Sequence, residues 1–438
     1  MTAGLIARGA TLTRSGLIRT ALGLYAIQAS TWLLPLATIV FLARRLGPEH
    51  WGLLMFMQGA AAYVIFLVSY GFTYSATREV ARNRGDPDRL AAIVAGVLGA
   101  KVTLAILSLL IVIPASFLVP AIHRSQGLLW PTMLWAFAWA FSASWYFQGL
   151  ERIGVAAGCE ASARILSLAG ILALVRSPDD TWKVLAIQGG LVFAAVLVET
   201  ALAYRQVGFQ MPTPRLVWET LRWGWSMFLL GGALSLYTIG NGFILGLFAS
   251  STVVGYYMGA ERISKNFATM LSPITQAVFP RTSHLAGHAR GEAARLTRTS
   301  LFVMGGAGCA IGVLVFFSAP FLVRVVLGPG FEPAVVVLRI LACLPPLIVA
   351  SNVLAVQWML ALGLDRLVNT LMFSAGVLNV LLAVALVPRY MHVGMAIAVV
   401  AAEALVTFGL YAVVRIKHVD PLAIARLDEQ AEPARLSA

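Results

Sequence analysis

Apolar residues run through this chain in long unbroken blocks, not in the three-to-four-residue rhythm of a half-buried surface helix. Twelve blocks stand out, at 18–43, 51–75, 90–119, 129–147, 153–175, 182–204, 226–248, 254–280, 300–320, 334–359, 369–387 and 393–414. Crossing a hydrocarbon core takes a helix of about 20 residues, so each block predicts a span. The block at 254–280 is the least apolar, because it holds Glu261, Arg262 and Lys265. The block at 90–119 is long and contains Pro114. The expected fold class is an all-α polytopic membrane protein with twelve transmembrane helices.

The blocks fall into two related sets of six. Gly52 precedes Arg78 by 26 residues, and Gly255 precedes Arg281 by the same 26. At a constant offset of 203, Thr38, Gln58, Ser69 and Thr73 match Asn241, Glu261, Ser272 and Gln276. Further on, Gly149-Leu150-Glu151-Arg152 recurs as Gly363-Leu364-Asp365-Arg366 at an offset of 214, so the second half carries an 11-residue insertion. Six spans is an even number, so both halves start on the same side and the repeat is parallel. The expected domains are a six-helix bundle at 1–204, a cytoplasmic linker at 205–225, a second bundle at 226–418 and a disordered cytoplasmic tail at 419–438.

Composition removes the soluble alternative. The chain is 59% hydrophobic and 12% charged, against roughly a quarter charged in a soluble domain. The net charge of +13 raises the question of nucleic acid, but its distribution answers it. With the N-terminus inside, 20 Lys and Arg fall in inside segments, 7 outside and 5 within spans. That asymmetry is the positive-inside pattern; it places both termini in the cytoplasm and needs no nucleic-acid partner. Cys159, Cys309 and Cys343 lie in apolar stretches without metal-like spacing and read as small core residues. His284 and His288 have metal-pair spacing but lack further ligands beyond Glu292, and no phosphate-binding GxxxxGK[ST] loop exists. Neither a metal nor a cofactor is expected.

Candidate chemistry lies inside the bilayer. Glu261, Lys265, Thr269, Ser272 and Gln276 are spaced 4, 4, 3 and 4, which confines them to one face of a continuous helix, flanked by Arg262 and Asn266. Lys265 lies about 16 Å along that helix, near the midplane. A cation there costs at least about 3 kcal/mol without water or a partner. Two readings stay open: a Glu261–Lys265 clamp between helices, or a polar stripe facing a hydrated cavity and echoed by Gln58, Ser69 and Thr73. Glu160 and Arg164 stand one turn apart and can neutralise each other. Lys101 and Glu403 lie mid-span and must each find a distant partner. Glu199 and Arg339 lie near span ends, where a long side chain snorkels to the interface.

Three segments carry a family resemblance. Leu46-Gly47-Pro48-Glu49 through Trp51-Gly52, with Ser75-Ala76-Thr77-Arg78-Glu79, resembles the N-terminal signature of Wzx-type polysaccharide flippases. So do Trp145-Tyr146-Phe147-Gln148-Gly149-Leu150-Glu151 and the set Val254-Gly255-Tyr256-Tyr257, Ala260-Glu261-Arg262-Ile263 and Phe279-Pro280-Arg281. These flippases belong to the multidrug/oligosaccharidyl-lipid/polysaccharide exporter superfamily.

The resemblance implies a V-shaped alternating-access transporter in the bacterial inner membrane, with spans 1, 2, 7 and 8 lining a cationic cavity. It implies movement of undecaprenyl-diphosphate-linked oligosaccharide to the outer leaflet, among membrane lipids, beside a polysaccharide polymerase and a chain-length regulator. Flippases of peptidoglycan precursors carry arginines on their first two spans; here only Arg19 stands at the start of the first, which argues against that cargo. The candidate substrate-binding residues are Arg262, Lys265, Glu261, Gln58, Asn241, Gln276, Arg164 and Lys101, with Glu261 and Glu403 the acids suited to proton coupling. A multidrug or cation antiporter of the same superfamily is the alternative. A membrane polymerase or ligase of the glycan pathway is disfavoured by short outside loops, and a non-transporting assembly partner is the remaining reading.

Overall fold

A computed structural model describes residues 14–424 apart from 239, with nothing to say of the side chains of 14–33, 230, 233–238, 272, 273, 276 and 277. The regular structure of the described residues is all helical, without a strand. The first half comprises α1 (Arg14–Ser69), α2 (Phe72–Arg82), α3 (Pro87–Leu118), α4 (Pro120–His123), α5 (Leu129–Ala140), α6 (Ser144–Gly149), α7 (Ile153–Leu174) and α8 (Thr181–Val207). The second comprises α9 (Pro214–Thr238), α10 (Asn241–Phe248), α11 (Ser251–Thr269), α12 (Ser272–His288), α13 (Arg290–Leu322), α14 (Ala334–Leu341), α15 (Leu344–Asn352) and α16 (Asp365–Ile416). Among the described residues, seven helical stretches are long and apolar enough to cross a membrane.

Two of those stretches are about twice the length of a span, and each contains a break. In α1 the chain turns at Gly47, whose φ of 70° suits a residue without Cβ, and Pro48 follows. In α16 the turn falls at Met391, with φ of 49° and Pro388 just before it. Three blocks outside those seven stretches are also split. Residues 141–143 separate α5 from α6, and α10 restarts at Asn241. Residues 270–271 separate α11 from α12, whose first turn contains Pro273.

That last break interrupts the continuous helix expected at 254–280, and the Ser272 and Gln276 side chains of the expected stripe lie outside the described residues. The start of the expected tail is also corrected. Residues 419–424 pack on the second bundle, where Trp358 donates its indole N–H to the Val419 carbonyl at 2.7 Å. Residues 425–438 lie outside the described residues. The cysteines are not core: Cys309 and Cys343 are exposed and Cys159 half-buried, as lipid permits for apolar side chains.

The two halves meet along α1 and α11. One core joins Leu42, Trp51 and Leu54 to Val254, Tyr257, Ile263 and Leu341. The closest approach is reciprocal. A methyl group on Gly52 would overlap the Ser251 carbonyl oxygen, and one on Gly255 would overlap the Pro48 carbonyl oxygen. Both pairs are the same two positions of the 203-residue offset, exchanged. Beside this clasp Arg44 donates to the Val325 carbonyl. Toward the other end α9 bridges the halves: it lies along α16 and also sends Val217 and Thr220 against Gly99 and Gly96 of α3.

Candidate functional site: a two-arginine cavity between the halves

A cavity of about 370 Å³ opens between α1, α5, α7 and α8 on one side and α10 and α11 on the other. Its polar groups come from spans that are otherwise apolar. Arg262 of α11 donates to the Gln58 side-chain oxygen at 3.1 Å, and the Gln58 amide donates to Gln188 of α8 at 3.3 Å. The Arg262 guanidinium also lies 5.9 Å from the Trp51 ring centroid, an aromatic–cation contact strengthened where water is scarce. Arg164 enters the same cavity from α7, 5.8 Å from the Trp139 ring centroid and 3.7 Å from Glu160.

Two donors in this wall lack an acceptor. Arg262 Nε and the Trp51 indole N–H are buried with no hydrogen-bond partner. Leaving such groups unmet costs about 1–3 kcal/mol each, so they mark this wall as polar where the surrounding spans are apolar. Arginines on facing walls, amides between them and the faces of Trp51, Trp135 and Trp139 suit a ligand that is both anionic and rich in hydroxyls.

The remaining candidates separate into three places. Glu261 turns away from the cavity into the second bundle and is 3% exposed. There it accepts from Asn241 at 3.0 Å and Tyr257 at 3.0 Å, with Lys265 at 3.1 Å. Asn379 of α16 donates to the Asn241 oxygen at 2.9 Å and completes the cluster. Lys265 itself is half-exposed, with 42% of its side chain accessible, so it can serve both the cluster and a ligand. Glu403 is buried elsewhere in that bundle and accepts from Ser351 at 2.9 Å.

Lys101 stands outside the cavity in the first bundle, 4% exposed, donating to the Ser142 carbonyl at 2.8 Å. The Gln276 side chain lies outside the described residues. Glu199 departs from the snorkelling position expected of it. It is 1% exposed, and its carboxylate accepts from the Ala143 N–H at 2.9 Å and the Ser142 hydroxyl at 3.2 Å.

Sequence reasoning missed Gln188, Trp51, Trp139 and Asn379. A usable signal existed for Gln188 and Asn379, each an amide set deep in an apolar block. The tryptophans carried none, because a wall aromatic and a core aromatic look alike in one sequence.

These features define the class: a multi-span helical membrane protein with a polar cavity held between two helical halves. Residues 17–286 match the profile of the family described as "Polysaccharide biosynthesis protein". The chain belongs to that family. It is 30% identical over 391 residues to an Escherichia coli (strain K12) protein described as "Putative O-antigen transporter", covering 89% of this chain and 94% of the relative. A Shigella dysenteriae protein of the same description is 26% identical over 395 residues, covering 87% and 96%. In fold it is similar to the lipid II flippase MurJ in an inward closed conformation, with a TM-score of 0.70 at 14% identity over 92% of this chain and 90% of that one. An inward-facing multidrug resistance MATE family transporter of the MOP superfamily gives a TM-score of 0.67, also at 14% identity, over 90% and 95%. At that identity the likeness concerns the fold.

Proposed function

We propose that this chain flips an undecaprenyl-diphosphate-linked oligosaccharide from the cytoplasmic to the outer leaflet of a bacterial inner membrane, for O-antigen, capsule or exopolysaccharide synthesis. It is a transporter rather than an enzyme, as its relatives are. The observation that carries the reading is the cavity between Arg164 and Arg262, lined by the Gln58 and Gln188 amides and by Trp51, Trp135 and Trp139. A diphosphate bearing sugars cannot enter hydrocarbon alone, since an unpaired buried charge costs many kcal/mol. Two guanidiniums take the diphosphate, the amides take hydroxyls, the tryptophan rings lie against the sugars, and the polyprenyl tail stays in lipid. The description of the relatives as O-antigen transporters supports the cargo class.

Twelve spans in two parallel bundles follow from the same reading. The breaks at Gly47 and Met391 each divide one long stretch into two spans, and the split blocks at 129–149, 214–248 and 251–288 supply the rest. The reciprocal contact of Gly52 and Gly255 supports a two-fold axis along the membrane normal, relating halves that rock about the cavity. Both termini then lie in the cytoplasm, and a polymerase and chain-length regulator take the product on the far side.

The test is a deletion strain without paralogues. The expected result is lipid-linked oligosaccharide accumulating in the inner leaflet with loss of surface polymer, restored by the wild-type chain. Unchanged surface polymer overturns the function.

A further inference from the structure

The first bundle holds a buried acid–base pair that the cavity does not use. Where the fourth expected span breaks at 141–143, two backbone regions lose their helical partners inside the bilayer, and such groups must be met internally. Lys101 of α3 meets the Ser142 carbonyl, and Glu199 of α8 meets the Ala143 N–H and the Ser142 hydroxyl. Capping alone would need only neutral groups such as Asn or Ser. Two ionisable side chains at 4% and 1% exposure are a far more expensive choice.

The surroundings of the pair form a line across half of the protein. On one side a void of about 10 Å³ separates Glu199 from Glu160, with Trp139 and Ser142 in its wall. Glu160 contacts Arg164, which opens on the main cavity. On the other side a void of about 20 Å³ lies between Lys101, Tyr146 and Thr200. The Tyr146 hydroxyl donates to the Gln206 side-chain oxygen at 3.2 Å, and Gln206 is exposed at the end of α8. Each void is on the scale of the one-probe volume, about 10–15 Å³, that a single water requires. The titratable or charged groups facing the pair are Glu160 and Cys159 from α7 and Tyr146 from α6, with Arg164 one step further and Arg152 acting on Tyr146.

We propose that Lys101 and Glu199 are a proton-exchange site, joined through Tyr146 and Gln206 to the side bearing Arg205 and Arg215, and through Glu160 to Arg164 in the cavity. The proton moves between water in the voids and the Glu199 carboxylate; on arrival it forms a carboxylic acid, and the Ala143 and Ser142 donors hold the group in place. Lys101 keeps its contact with Ser142 in either state. Because Glu160 lies between Glu199 and Arg164, a dianionic ligand drawn to Arg164 weakens the hold of that guanidinium on Glu160 and changes the charge that Glu199 senses. Proton exchange is thereby tied to occupancy of the cavity. The tie to cargo rests on the function proposed above, whereas proton binding does not.

The experiment has two arms. Infrared difference spectra of the purified full chain in lipid, taken across neutral pH without cargo, report a carboxylic acid band directly. The expected result is a band that titrates in wild type and disappears in Glu199→Gln, which retains acceptors for Ala143 and Ser142. The second arm is flipping in proteoliposomes with and without an imposed pH gradient. Wild type is expected to be stimulated by the gradient, whereas Glu199→Gln and the double variant Lys101→Met, Glu199→Gln keep only gradient-independent flipping. If Glu199→Gln is poorly produced, the double variant, which leaves no stranded charge, carries both arms. No titrating band in wild type, a band unchanged in the variants, or gradient stimulation surviving in either variant overturns the proposal. Absence of any flipping by wild type overturns the function instead and leaves the infrared result to decide the site.

Discussion

Replacing Arg262 separates a ligand-binding cavity from a merely polar seam. Its guanidinium donates one bond to Gln58 at 3.1 Å, lies against Trp51 and leaves Nε buried and unmet. Arg262→Lys retains the charge but not the planar fork. One lost charge-assisted hydrogen bond to a phosphate oxygen costs about 1.5–3 kcal/mol, which is roughly a 10- to 100-fold slower flipping rate if that bond is made at the barrier. Arg262→Ala also removes the charge. At about 4 Å and an effective dielectric constant near 20, that attraction is worth roughly 4 kcal/mol, so flipping should fall below detection. Protein abundance should stay near wild type in both variants, because Gln58 keeps Gln188 as a partner and an unmet donor is removed. The assay is abundance-corrected flipping in proteoliposomes, with surface polymer in cells as the second readout. Wild-type flipping by a stable Arg262→Ala variant would refute the placement of the diphosphate between the arginines.

Three further outcomes are expected. Lys265→Ala leaves the Glu261 carboxylate with two neutral donors in the second bundle, and loss of one partner of a buried pair costs about 3–5 kcal/mol; membrane abundance should drop and recover in Glu261→Gln, Lys265→Ala. If that recovered double variant also flips at the wild-type rate, Lys265 is a clamp and no part of the cargo site. Gly52→Val should force the α1–α11 clasp apart, because a side chain there overlaps the Ser251 carbonyl, and should raise thiol labelling of a Ser250→Cys reporter from the outside; unchanged labelling with normal flipping would show that the clasp tolerates separation. Cysteines at Ser250 and Gln210 should label from opposite faces of the membrane, and labelling of both from one face would sink the twelve-span reading.

The long apolar blocks were readable because lipid tolerates little else over 20 residues. Gln58, Arg164 and Arg262 were readable as polar groups that such blocks have no ordinary use for. The orientation of each was not. Glu261 and Arg262 are consecutive, so they project about 100° apart, and neighbours decide which faces the cavity. Asn241, Tyr257 and Asn379 offer Glu261 hydrogen bonds inside the bundle, while Gln58 and Trp51 draw Arg262 outward. One break inside an expected span was also hidden. At 141–143 there is neither glycine nor proline to mark one, and what permits it is Lys101 and Glu199, distant in sequence. Their pairing depends on α3 and α8 coming to lie on either side of one backbone gap.

That gap has a consequence for how the chain is made. In the order of synthesis Lys101 precedes Ser142 by 41 residues and Glu199 by 98. At about 5–20 residues per second the ribosome takes roughly 5–20 s to deliver the acid. Throughout that interval α3 carries a cation without its later neighbours, and a cation in the middle of a span costs at least about 3 kcal/mol. Biogenesis is therefore expected to include a waiting step, in which the insertion machinery shelters α3 until α5 and α8 arrive and the first bundle closes.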